Sequence, residues 1–315
     1  MTQRDTFIED LFEIAKNDKD VIMVSVDMGA SALDRWRDEL PDQFFATGIS
    51  EQHTINFAAG LSAQGKKVYV YFMACWVARC FEQIRYSCCM GDNPITILGC
   101  GVGLGYAPAG PAHNPNEDIA YMRTLLGVEI YAPHNIEMTK LLVNKSYDEN
   151  TLKYIRLERK YDTRFDGGDG YLGRGISILK PGLWNNSNMK DKPKVALVSY
   201  GYMLGRCLDV WQKLQATKYE VSLYNMYRLK PNPIDKDVFK EYTHIVSVEE
   251  QTLSGGVGSI ILEGLSDSNV LRPLLRLGLP ERYIFENGDR DYHLDNNGLS
   301  VDSIYSKITE FVSDK

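Results

Sequence analysis

Apolar positions along the chain come in short continuous runs separated by stretches with helical spacing. Val21 to Val26 is a run of strand length, of the kind buried on both faces of a parallel sheet. It ends in the polar turn Asp27-Met28-Gly29-Ala30-Ser31, where open α/β sheets place their ligands. Val68 to Phe72, Pro94 to Leu98, Val128 to Ala132 and Lys153 to Leu157 read as further strands. Helical patterns lie around them: residues 5–17, a stretch holding Trp76, Arg79, Phe81, Gln83, Ile84 and Arg85, then Asn116 to Leu126 and Ile136 to Ser146. A short run ending in Phe44-Phe45-Ala46 empties into a glycine turn. Ser50 is placed there to cap a helix from about Glu51 to Gln64.

The alternation predicts a doubly wound α/β domain with a mostly parallel sheet over residues 1–162. Between about 163 and 192 the pattern gives way to Gly, Asp, Asn, Lys and Pro, which reads as a linker. It holds Gly168-Asp169-Gly170 and Asn185-Asn186, too close together and without a strand–helix frame, so linker chemistry is the reading. A second α/β unit fills 193–315. Its strands are expected at Val195 to Tyr200, Val221 to Tyr224 and His244 to Val248, and its helices at about Leu204 to Leu214, from Ser254-Gly255-Gly256-Val257-Gly258 onward, and at Ser303 to Phe311.

Composition adds exclusions. A 315-residue chain with 44% hydrophobic and 24% charged residues suits two ordinary globular domains. A net charge of −7 argues against nucleic-acid or anionic-membrane partners. The first residues show no apolar signal region and no run is long enough to span a bilayer, so a cytoplasmic protein is expected. Six cysteines lack metal-ligand spacing and read as reduced thiols.

Two stretches carry candidate chemistry. Glu51 opens a helix that is otherwise small and apolar, so it should be buried, and a buried unpaired carboxyl has a raised pKa. From this stretch alone, an acid serving the helix dipole at a solvated end is the simpler reading. The second is Gly99 to His113, too long and glycine-rich for a simple connection. Its Gly-x-Gly-x-Gly is not a dinucleotide fingerprint, because no helix opens behind it and no acid follows at the required distance.

Taken in order, three motifs resemble a known family across essentially the whole chain. They are Gly48-Ile49-Ser50-Glu51-Gln52-His53 with Ala58-Ala59-Gly60-Leu61; Gly110-Pro111-Ala112-His113-Asn114-Pro115 with Glu117-Asp118; and Arg228-Leu229-Lys230-Pro231 followed by Val248-Glu249-Glu250 and Gly255-Gly256-Val257-Gly258. The match is to the C-terminal half of transketolase and 1-deoxyxylulose-5-phosphate synthase, and to the beta subunit of 2-oxoacid dehydrogenases. The resemblance implies a thiamine diphosphate pyrimidine-binding domain followed by a transketolase C-terminal domain. It implies thiamine diphosphate with Mg2+ as cofactor, the metal and diphosphate held mainly by a separate N-terminal subunit, no metal ligands in this chain, and two copies of each chain in the assembly.

By the same resemblance Glu51 faces N1′ of the thiamine aminopyrimidine and shares a proton with it. Trp76 stacks on that ring where transketolase has Phe, with a core tryptophan as the alternative. Met73 lines the pocket one turn earlier, and Asp27 lies near the cofactor and the subunit contact. His113 stabilises oxygens of the donor. Arg4, Ser31 and Arg159 fall where transketolase binds sugar phosphate, although each alone reads as a surface residue or ordinary ion pair. Ala109 replaces an Asp that recognises a sugar hydroxyl, Gly99-Cys100 stands for His-Asp, and the loop is about two residues longer at Tyr106-Ala107, which together imply an unusual sugar. The expected reaction is transfer of a two-carbon ketol unit between sugars. The alternatives are the beta subunit of a 2-oxoacid dehydrogenase and a non-catalytic stabilising partner.

Overall fold

The computed structural model describes residues 1–166, 172–182 and 192–313. Gly168-Asp169-Gly170 and Asn185-Asn186 lie outside the described residues.

Twelve strands are formed among them: β1 (Val21–Ser25), β2 (Phe44–Ala46), β3 (Lys67–Met73), β4 (Thr96–Cys100), β5 (Glu129–Tyr131), β6 (Lys153–Leu157), β7 (Ser177–Lys180), β8 (Lys194–Ser199), β9 (Glu220–Asn225), β10 (Arg228–Lys230), β11 (His244–Thr252) and β12 (Leu274–Leu279). The first sheet has the order β10-β5-β6-β4-β3-β1-β2 and the second β12-β11-β8-β9-β7. Every pairing in them is parallel except β10 on β5 and β7 on β9. β1, β4, β6 and β9 are buried along their whole length, as inner strands of a parallel sheet are, although β6 holds Lys153 and Arg156 and β9 holds Glu220 and Asn225. This is the α/β architecture of two mostly parallel sheets that the alternation predicts.

The two antiparallel edges are exchanged. β7 comes from the stretch read as linker and completes the second sheet, while β10, from beyond β9, crosses back to close the first. The second unit thus finishes the first sheet and the linker finishes the second, and one apolar cluster runs from Val24, Val70 and Ile97 to Ala196, Met226 and Ile260.

Several local expectations are corrected. Ser50 does not cap its helix through its side chain: its hydroxyl donates to the Thr47 carbonyl at 2.7 Å and its φ/ψ of −152°/58° lies off the capping region. The helix Glu51–Ser62 is buried on one face only, by Glu51, Thr54, Ile55, Ala58 and Ala59, with Gly60 exposed and Phe57 half-buried. The stretch around Trp76 is not one helix. It breaks into a 3₁₀ turn at Ala74–Val77, a short α-turn at Phe81–Gln83 and a π-helical segment at Ile84–Met90. Irregular winding of this kind concentrates where a backbone serves a site rather than a core. The helix expected from Asn116 is confined to Asp118–Met122.

Candidate active site

Parallel strands bring their carboxyl ends to one edge of a sheet, and β6, β4, β3 and β1 are neighbours. The residues that follow them therefore share an edge: Asp27 and Ser31 after β1, Met73 and Trp76 after β3, the 99–113 loop after β4, and Arg159 after β6. Glu51 reaches the same edge from the turn after β2, where Gly48 at φ +70° supplies a left-handed conformation that a side chain would disfavour.

Glu51 is 5% exposed at the first turn of its helix. Its Oε2 accepts from Arg79 Nη1 at 3.1 Å, while the Arg79 side chain is itself 58% exposed. The solvated-end reading of Glu51 therefore fails, and the acid is sequestered under one exposed cation. Behind it, Thr47 and Thr54 share a hydroxyl hydrogen bond of 2.6 Å that ties the turn to the helix. Two thiols feel this pair: burial pushes Cys75 up to about 11 and Cys80 up to about 12, Glu51 adding to both shifts and Arg79 opposing them. Nothing periodic in the sequence joins Arg79 to an acid 28 positions away, so sequence reasoning missed this partner.

Trp76 is half-buried and packs on Phe72 with ring centroids 6.3 Å apart. Met73 is buried at the end of β3. Both lie on the segment leading from β3 toward Arg79, the partner of Glu51.

A second group forms between β3, β4 and β6. Arg4, bonded to Asp5 at 2.6 Å, lies within electrostatic reach of Tyr71 and Cys100. Arg159 lies over the Tyr106 ring at 4.2 Å and donates to the Gly105 carbonyl at 3.3 Å. Burial raises the Tyr106 phenol, and Arg159 and Arg4 both oppose that rise, so both arginines lie within electrostatic reach of this tyrosine. Tyr106, one of the two extra loop residues, is the missed member: its ring also fills the space beside Gly101, where a Cβ would stand 1.9 Å away. Gly99 is likewise required, because a Cβ there would meet Tyr154 at 2.5 Å.

His113 ends a 3₁₀ turn, Pro111–His113, and its Nδ1 is buried with no hydrogen-bond partner among the described residues. A buried unpaired ring nitrogen calls for a ligand or water there. Asp27 and Ser31 are exposed at the edge and belong to neither group's contacts. Behind the loop, fully buried Asp118 accepts from Arg156 Nε at 2.7 Å and Tyr154 Oη at 2.6 Å, a network that anchors the loop's far end.

Other proteins share this chain's sequence and shape. Residues 1–161 match the family description "Transketolase, pyrimidine binding domain" and residues 187–304 match "Transketolase, C-terminal domain". One of the subunits of apulose-4-phosphate transketolase from Phocaeicola vulgatus is 29% identical, over 98% of this chain and 97% of that protein. The 1-deoxy-D-xylulose-5-phosphate synthase of Clostridium perfringens is 28% identical over 98% of this chain, which spans 49% of the synthase. A solved split-gene transketolase, described as an inactive beta4 tetramer, superposes with a TM-score of 0.84 at 25% identity, each chain covered to 99%. Transketolase of Pichia stipitis shares the fold alone, at 15% identity, a TM-score of 0.80 and 46% of its length.

Proposed function

Because this chain belongs to the transketolase family, we propose that it is the C-terminal subunit of a two-component, thiamine diphosphate-dependent transketolase that moves a two-carbon ketol unit between sugar phosphates. The observation that carries the reading is Glu51: a carboxyl 5% exposed, at the strand edge, whose ion-pair partner among the described residues is an exposed arginine. A structural acid would have a buried partner. Here the partner can swing into solvent and leave the carboxyl to another base.

The residues present suit one half of a thiamine site. Glu51 would hold a proton opposite the aminopyrimidine N1′, Trp76 would stack on the ring, and Met73 would line its edge. His113, with its unpaired Nδ1, would meet oxygens of the donor. Arg4 and Arg159, both within electrostatic reach of Tyr106, would receive the sugar phosphate with Ser31, and Asp27 would lie near the cofactor and the subunit contact. When bound, the cofactor supplies the electron sink for breaking a carbon–carbon bond next to a carbonyl. Its diphosphate and Mg2+ would be held by a separate N-terminal subunit, since a diphosphate needs a metal and its ligands to offset its charge.

The oxoacid dehydrogenase alternative is not favoured, because both matched domains and the relatives described above are transketolases or deoxyxylulose phosphate synthases. The stabilising-partner alternative is disfavoured by the sequestered Glu51. The relative named for apulose-4-phosphate places that sugar first among donors to test. The test is reconstitution with a candidate N-terminal chain, Mg2+ and thiamine diphosphate, scoring ketol transfer from a panel of ketose phosphates. Transfer only by the mixture supports the reading; no transfer from any donor, with cofactor bound, contradicts it.

A further inference from the structure

The C-terminal unit contributes none of the candidate site side chains, yet its strand β11 runs directly into the loop that carries His113. At the loop's entrance, Glu250 packs against the backbone: Gly103 at φ +57° lies so close that a Cβ would stand 2.2 Å from Glu250 Oε2. At its exit, Gln251 Nε2 donates to the Pro115 carbonyl at 2.8 Å, and the Thr252 N–H donates to the Asn116 carbonyl at 3.0 Å. Three consecutive residues of one strand therefore grip the loop on both sides of His113.

The grip is braced. Arg290 Nε donates to Glu250 Oε1 at 2.8 Å and Arg290 Nη1 to Glu158 Oε2 at 2.9 Å, so one guanidinium joins β11 to the end of β6, one residue before Arg159. The Arg290 guanidinium also lies over the Tyr202 ring at 3.8 Å. Leu104 and Ala107, though part of the first unit's loop, are buried in the second unit's apolar cluster with Leu204, Val248 and Leu294. A loop rich in glycine has many backbone states to lose, and fixing it at two ends removes most of them.

We propose that Glu250, Gln251 and Arg290 are positioning residues, a clamp by which the C-terminal unit sets where His113 and Arg159 stand at the site. None of the three touches the reacting atoms; each acts through the backbone or side chain that does. Its consequence for catalysis rests on the transketolase reading, whereas its consequence for the loop does not.

The test has two arms. In the isolated chain, amide hydrogen exchange is followed in wild type, Gln251→Met and Glu250→Gln. Losing the Gln251 bond to the Pro115 carbonyl, or the charge of the Glu250–Arg290 pair that braces the strand, should speed exchange of amides between Val102 and Asp118 about tenfold while those of β8 keep their protection. Unchanged loop exchange in both variants, or a loss spread evenly through β8, overturns the clamp. In the reconstituted enzyme, kcat/KM for the sugar should fall about tenfold in Gln251→Met with thiamine diphosphate affinity unchanged, because the cofactor residues sit on other strands. Equal loss of both, as from a general weakening of the fold, contradicts it. If wild type transfers no ketol group, the functional reading fails and the exchange arm alone decides the clamp.

Discussion

Glu51 and Arg79 carry the proposed chemistry at the scale of single residues. A carboxyl removed from water costs free energy unless it is paired, and an exposed arginine is a partner that is cheap to withdraw. Trp76 can be separated from its core-packing alternative by substitution. Trp76→Ala should weaken thiamine diphosphate binding by the reconstituted enzyme about tenfold, the size of one aromatic stacking contact, and Trp76→Phe should stay within about twofold of wild type. Calorimetric titration reads both; unchanged affinity in Trp76→Ala with a lowered melting temperature would make the indole a packing residue only. As candidates, Glu51, Trp76 and His113 come from motif resemblance in the sequence. Arg79 and Tyr106 do not, because their roles arise from contacts between segments that no spacing encodes.

At the scale of elements, strands were more legible than helices. Continuous runs such as Val21 to Val26 have one physical solution, burial on both faces, and β1 forms there. The stretch after β3 carries helix-forming residues, but the winding changes from 3₁₀ through α to π along it, set by what the segment must reach. β7 and β10 were missed as strands because short edge strands have too few residues for alternation to register.

The seam these edges create makes a pH prediction. His134, after β5, contacts Asn225 of β9 with 2.9 Å between Nδ1 and Nδ2, and burial pushes its imidazole down to about 4. A group with a depressed folded pKa binds its proton more readily when unfolded. Its contribution is thus complete above about 6.5 and lost as pH falls toward 4, amounting to roughly 3 kcal/mol. Glu249 opposes this: burial raises its carboxyl to about 7 although the Val257 and Gly258 amides donate to it, so its contribution declines as pH rises from about 4.5 to 7. The informative quantity is the difference between wild type and His134→Gln. Urea unfolding should show wild type losing stability relative to the variant between about pH 6.5 and 4.5, and parallel curves would contradict the burial argument.

At the scale of the molecule, the chain spans about half the length of the deoxyxylulose phosphate synthases it matches, and the proposed function makes it one half of a cofactor site. The motifs are what suggest that division, since they include no metal–diphosphate segment. The exchanged edge strands and the β11 clamp were invisible, being properties of how two units close on each other. Thiamine diphosphate should bind the isolated chain more than about tenfold more weakly than the mixture with its partner, since only the mixture offers diphosphate and ring contacts together. Titration of each chain alone and of both together reads this, and equal affinity for the isolated chain would remove the need for a partner.

The central claim, that Glu51 is the acid serving the cofactor ring, is tested most directly by comparing Glu51→Gln with wild type in the reconstituted enzyme, measuring ketol transfer and cofactor loading on the same samples. The account predicts full loading with turnover lowered by a factor of about 100 or more, the usual scale for removing a general acid–base group. Wild-type turnover in the loaded variant would contradict it.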